Sequence, residues 1–229
     1  MIAGIIFDFD DTLIETTKHF DLAKEKFRIR MAQLEFPAED CLVTLNQFDI
    51  KNVLKSGGFM KDCFPLALGE TYDYYCQKYK RRACKGTRAE IVNLGWQVFQ
   101  HDIEIIDGVI EVLDKLSADY PLFLATKGEV NLQCAKLKAS GLEKYFQKVY
   151  ITPDKTAKEY SNIALDQHLQ VIDSWVIGNS MKGDINPGIK SGFNCIHVCH
   201  HHTWDYEEEP ALGEHHSVTS IRDVLDIIL

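Results

Sequence analysis

The chain has 229 residues, 45% of them apolar and 26% charged, with 25 Lys and Arg against 34 Asp and Glu and a formal net charge of −9 at pH 7. This is a soluble globular composition with ample material for a core, and the length suits one large domain or a domain plus an insert. The acidic balance, broken only by the short basic run Lys80-Arg81-Arg82, argues against nucleic acid as a partner, and no apolar run approaches the roughly 18 residues a membrane helix needs.

In chain order, the apolar residues 2–7 predict a short buried strand ending at Asp8-Phe9-Asp10-Asp11-Thr12. From about residue 15 to 100 the apolar positions recur at helical spacing, as in Phe20, Ala23, Phe27 and Met31. Helices are expected near 44–54, 59–79 and 88–99, with Lys55-Ser56-Gly57-Gly58 as a break. After Asp107-Gly108, helices are expected over 109–116, 131–140, 156–167 and 185–191. Strands are expected over 122–125, 148–151, 174–177 and 194–198. Alternation of this kind predicts right-handed crossovers and a mostly parallel sheet. The expected fold is therefore a Rossmann-like α/β core, residues 1–14 and 104–229, carrying an inserted all-α domain over 15–103.

Seven cysteines, at 41, 63, 76, 84, 134, 195 and 199, form no CxxC pair. An odd count in a chain with a real core points to a reducing cytoplasm rather than a disulfide framework. The break at Asp8 also leaves the first apolar run too short for a secretory signal. Either a monomer or a homodimer is compatible with the sequence.

The acidic cluster carries the chemistry. Asp8 and Asp10 are two residues apart, so on a continuing strand their side chains share a face. Crowded carboxylates repel unless a cation or a shared proton intervenes, which points to a divalent metal, or to a nucleophile beside a general acid. Thr126 follows a second strand, Lys155 the loop after a third, and Asn179 and Asp184 a fourth. All fall at the carboxyl edge of a parallel sheet, where ligands bind.

These residues, in this order, resemble the haloacid dehalogenase superfamily: Asp8-Phe9-Asp10-Asp11-Thr12, then Thr126 after Leu122-Phe123-Leu124-Ala125, then Lys155, then Gly178-Asn179-Ser180 with Asp184. The resemblance implies a Mg²⁺-dependent phosphohydrolase acting on a small phosphorylated metabolite, with the helical insert as a cap. It makes Asp8 the nucleophile and a metal ligand. Asp10 becomes the acid/base, with its carbonyl on the metal; Thr126, Lys127 and Lys155 become phosphate-binding residues; Asn179 and Asp184 become metal ligands. Asp10 argues for phosphoester chemistry, since dehalogenases of the superfamily lack an Asp there. Asn179 departs from the commoner Asp and brings no charge. A phosphosugar mutase and a catalytically weak binding member remain alternative readings.

Lys158, near Lys155, is an alternative for the catalytic lysine. In the insert, Gly57-Gly58-Phe59 with Lys61 is a candidate specificity loop, and Arg28 and Arg30 could meet a second anionic group. Six histidines, at 197, 200, 201, 202, 215 and 216, raise the idea of a second metal. Adjacent residues on an extended chain point to opposite sides, so an exposed polar loop is the expectation for 200–202.

Overall fold

The computed structural model describes residues 3–200 and 203–229. The chain divides into two compact units, one formed by Met1–Thr17 with Ile103–Leu229 and the other by Lys18–Asp102.

The larger unit is built on a six-stranded sheet in the order β3-β2-β1-β4-β5-β6. The strands are β1 (Ile5–Phe7), β2 (Leu122–Lys127), β3 (Lys148–Thr152), β4 (Trp175–Gly178), β5 (Asn194–Val198) and β6 (His216–Val218). All neighbouring pairs are parallel, and β1 pairs with both β2 and β4, Phe7 opposite Leu124 and Ile177. The parallel strands read as near-continuous apolar runs because both faces are covered. Their alternation sorts side chains by face. Ile5, Phe7, Leu122, Leu124, Ile177 and Ile196 join one core. Ile6, Phe123, Ala125, Val176 and Cys195 join the other. The first core is completed by α5 (Val109–Asp119) through Val109, Val112, Leu113 and Leu116, and the second by α7 (Ala157–Asp166) through Tyr160 and Ile163. Between β1 and β4 the winding of the chain changes direction, which opens a crevice at the carboxyl ends of the central strands.

The smaller unit is all helix: α1 (Thr17–Gln33), α2 (Ala38–Ser56), α3 (Cys63–Lys78) and α4 (Lys85–Gln97). Ala23, Phe27 and Met31, spaced four apart on one face of α1, pack into a core with Leu45, Phe64, Leu68, Tyr72, Tyr75 and Ile91. Gly57, in the left-handed conformation at φ 75°, closes α2, so the break expected at 55–58 is a helix cap. At Gly95 a side chain would meet the backbone of Pro65 at 2.6 Å, so this glycine lets α4 and α3 approach closely. Arg28 pairs with Glu25 and Glu39, and Arg30 with Glu90.

Several boundaries differ from expectation. β1 covers only Ile5–Phe7, and Ile2 lies outside the described residues. α2 begins at Ala38, about a turn and a half earlier than the apolar spacing suggested, behind Pro37 with Glu39 and Asp40 in its first turn. Such residues favour a helix N-terminus through its macrodipole. The helix expected over 185–191 opens instead with a π-type turn, Met181–Ile185, leading into α8 (Asn186–Lys190). The edge strand β6, the closing helix α9 (Leu225–Ile228) and the Ser220–Asp223 capping box between them were not anticipated. A three-residue strand starting at His216 is too short to show a period. Among the described residues no helix is long and apolar enough to cross a membrane.

Candidate active site

Asp8 follows β1 directly, and its backbone N–H still bonds to Ile177 O at 2.8 Å, so it is fixed as a strand residue. Its side chain is buried. Lys155, also buried, donates to Asp8 Oδ1 at 2.5 Å and to Asp184 Oδ1. Tyr160 donates its hydroxyl to the same Asp184 oxygen at 3.0 Å, and the Ser180 N–H donates to Asp184 Oδ2 at 3.1 Å. Gly178 permits this close packing: a Cβ there would lie 2.4 Å from Asp184 Cγ. Lys158 is exposed on α7, so the structure places Lys155, and not Lys158, against the carboxylates.

Burial, reinforced by the Asp184 charge, raises the Asp8 carboxyl to about 7 despite Lys155. Burial opposes the charged form of Lys155, but the two carboxylates outweigh it and hold the ammonium above its ordinary range. Two carboxylates thus share one buried ammonium, which leaves the pocket a net acceptor of positive charge.

Asp10 is treated differently. Its carboxylate accepts from Lys136 and from Thr16 Oγ1 (2.6 Å) at Oδ1, and from Gln133 Nε2 (2.7 Å) at Oδ2. Burial alone would raise it, but the Lys136 charge and these hydrogen bonds win, and Asp10 stays below the usual carboxylate range. Gln133 also donates to Thr126 Oγ1 at 2.5 Å, which leaves the buried Thr126 hydroxyl its own proton to donate. Gln133 and Lys136 stand one turn apart on α6 (Val130–Ser140). Both fall outside the motif residues, although their i, i+3 spacing just after the Thr126 strand end is a legible signal.

Lys127 is carried to the same edge but is paired with Glu207 at 2.7 Å. Glu207 also accepts from Ser180 Oγ, and its carboxyl stays low because the Lys127 charge and bond outweigh burial. No pattern in the sequence pointed to Glu207, which lies in a short helical turn after β5.

Asn179 decides whether the site suits a metal. One terminal atom of its amide lies 3.1 Å from Asp8 Oδ2, 3.1 Å from the Asp10 carbonyl and 3.3 Å from Thr12 Oγ1. With nitrogen in that position the amide donates to both oxygens and needs no ion. With oxygen there, three oxygens face one another and a cation must separate them. Neighbouring oxygens around octahedral Mg²⁺ at about 2.1 Å lie about 3.0 Å apart, so an all-oxygen group at this spacing fits that ion. Asp184 adjoins this group through Lys155. His197 Nε2, 2.9 Å from the Asn179 carbonyl, fixes the backbone of that residue and is therefore occupied.

Of the other histidines, His201 and His202 lie outside the described residues. His200 corrects the exposed-loop expectation: its side chain is only 11% exposed and turns toward Asp11 and Glu15.

A sheet of this order, carrying an acidic strand end, a threonine, a lysine and a second acidic loop on one edge, defines a class of hydrolases, and sequence comparison places the chain among them. The profile of the haloacid dehalogenase-like hydrolase family matches residues 5–198, and the chain belongs to that family. Pyrimidine 5'-nucleotidase PynA of Streptococcus pneumoniae is 28% identical over 130 residues, 54% of this chain and 55% of that protein. The match thus spans about half the length of that curated relative. Among solved structures, a haloacid dehalogenase-like hydrolase from Xanthomonas campestris superposes with a TM-score of 0.79 at 21% identity, over 99% of this chain and 96% of that one. The magnesium-bound HAD-hydrolase YfnB of Bacillus subtilis gives 0.65 at 16% identity, covering 99% and 98%. L-2-haloacid dehalogenase of Xanthobacter autotrophicus gives 0.60 at 14%, covering 100% and 98%. Likenesses at these identities speak to the fold.

Proposed function

We propose that the protein is a Mg²⁺-dependent phosphatase of small phosphorylated metabolites, working through an aspartyl-phosphate on Asp8. The observation that carries this reading is Asp10. A carboxylate held one step from the buried Asp8, and bonded by Lys136, Gln133 and Thr16, is a built proton carrier, and phosphoester cleavage needs one where halide departure does not. Phosphatases and dehalogenases share this fold, so Asp10 separates them better than overall likeness does.

Asp8 Oδ2, the Asp10 carbonyl and Asn179 would hold Mg²⁺ beside Asp184; bound there, the ion screens the negative charge between carboxylate and phosphate. Lys155 keeps Asp8 in place and faces the phosphoryl oxygens with its charge, and Thr126 donates its hydroxyl to another. Lys127 joins them when it exchanges Glu207 for the substrate anion. Asp8 attacks phosphorus, the P–O bond to the leaving group breaks, and Asp10 gives that oxygen a proton. Asp10, now a carboxylate, takes a proton from the water that attacks phosphorus and frees Asp8. The bonds from Lys136, Gln133 and Thr16 favour the carboxylate form, which suits the second step. An anionic substrate that draws Lys136 away favours the acid form for the first.

The nucleotidase relative makes pyrimidine 5'-nucleotides the first substrates to assay. The protein is expected to release phosphate from p-nitrophenyl phosphate and from some member of a metabolite panel, with Mg²⁺ and not with EDTA. Turnover unaffected by EDTA, or no phosphate released from any panel member, would overturn the reading. A product retaining its phosphate on another hydroxyl would point to the mutase.

A further inference from the structure

Asp11, the third acid of the first motif, and His200, the first of the histidine run after β5, have no role in the phosphatase chemistry. The fold brings them together. Ligand atoms of Asp11, Glu15 and His200 lie within 4.8 Å of one another, all in the sheet unit. We infer that these three side chains form a second metal site, separate from the Asp8 cluster, for a first-row divalent cation of the Zn²⁺ kind.

The spacing of the three side chains suits a shared ion. His200 Nε2 is 3.8 Å from Asp11 Oδ1 and 3.5 Å from Glu15 Oε2. Both exceed a good N–H···O hydrogen bond, about 2.9 Å. Two donors on one tetrahedral ion at about 2.1 Å stand about 3.4 Å apart, close to the 3.5 Å between His200 Nε2 and Glu15 Oε2. The donor set points the same way. An imidazole nitrogen with two carboxylate oxygens suits Zn²⁺ or a neighbouring first-row ion, whereas Mg²⁺ prefers oxygen alone. The two sites would therefore sort ions by chemistry as well as by place.

Each ligand is anchored. Asp11 sits in a left-handed turn at φ 60° and is buried. Its Oδ1 accepts from the N–H groups of Thr16 and Thr17, each at 2.8 Å, and its Oδ2 from the Thr17 hydroxyl at 2.5 Å. Both acceptor positions of Oδ1 are thus filled, and the open position for an ion is on Oδ2, its direction fixed by these donors. The Glu15 N–H bonds to Glu104 O at 2.8 Å. His200 follows Cys199, whose N–H bonds to Val218 O at 2.8 Å. An ion here ties the segment leading into α1 to the exit of β5 and keeps a fourth position for water.

The test is equilibrium dialysis of the EDTA-stripped protein against Zn²⁺ in a large excess of Mg²⁺, which keeps the Asp8 cluster filled. The site predicts one Zn²⁺ per chain, and Glu15→Gln and His200→Ala each weaken it about tenfold or more. Co²⁺ in its place should give a visible spectrum of a nitrogen- and oxygen-ligated ion that both variants lose. Absence of Zn²⁺ binding under these conditions overturns the inference. So does binding that His200→Ala abolishes and Glu15→Gln leaves intact, which would assign the ion to the histidine run alone. Melting in EDTA checks that the variants fold; should His200→Ala not fold, the half-buried Glu15→Gln carries the test. Mg²⁺-dependent turnover is read separately, so failure of one idea leaves the other standing.

Discussion

Asn179 occupies a place where an amide can do two things and a carboxylate only one. Turned one way, its nitrogen bridges Asp8 Oδ2 and the Asp10 carbonyl; turned the other, its oxygen completes an all-oxygen group. A protein with this residue can fold around an empty centre without crowding another charge beside Asp8 and Asp184. Asn179→Asp removes that option. In EDTA it is expected to cost on the order of 1–3 kcal/mol, since a buried carboxylate then faces oxygens without a donor. With Mg²⁺ the sign reverses, and the added charge tightens binding about tenfold, roughly 1.4 kcal/mol. Thermal melts in EDTA and calorimetric titration with Mg²⁺ read the two effects; unchanged values in both would mean the amide does not face the carboxylates. The meeting of Asp8 and Lys155 at one sheet edge was legible in the sequence because strand ends and motif order place them. Of the partners that tune the site, Gln133 and Lys136 are marked in the sequence only by their spacing after Thr126 and Glu207 not at all, because their bonds to Asp10 and Lys127 span more than 75 positions of chain.

At the scale of elements, the alternation of β1, β2, β4 and β5 between two cores could be read directly, since period-2 sorting depends only on the strand itself. Helix boundaries were less legible: Pro37 and the acidic first turn start α2 well before its apolar stripe becomes regular. The edge strand β6 is held by pairing with β5, which no local signal of His216–Val218 announces. One element carries a pH-dependent liability. Asp49 lies half-buried on α2, and burial pushes its carboxyl up to about 7 against the pull of Lys24. Its folded form thus binds a proton that the unfolded chain has released, so this group costs stability as pH rises from about 4 through about 7. Asp49→Asn is expected to stabilise the protein by on the order of 1 kcal/mol at pH 8 and to match wild type at pH 4. Denaturant unfolding at the two pH values checks it; equal stability at pH 8 would mean that Asp49 is well solvated or well paired.

At the scale of the whole molecule, the change of winding between β1 and β4 gathers side chains from distant parts of the chain onto one sheet edge. Asp8, Thr126, Lys155, Asn179 and Asp184 come from four separate strand ends or the loops after them. Neither residue type nor spacing alone brings them together; the parallel topology does. That is why the fold class and the outline of the site could be read from the sequence, while the second cluster at Asp11, Glu15 and His200 needed coordinates. The helical unit of Lys18–Asp102 interrupts the sheet unit in sequence shortly after the first motif. The central claim is that Asp8 forms a covalent phosphoryl intermediate. Rapid acid quench of the Mg²⁺-loaded protein with a turned-over phosphoester, followed by peptide mass analysis, tests it most directly. The account predicts a transient phosphoryl group on the peptide containing Asp8, and none in Asp8→Asn. Steady turnover with Asp8 never phosphorylated, or turnover persisting in Asp8→Asn, would contradict it.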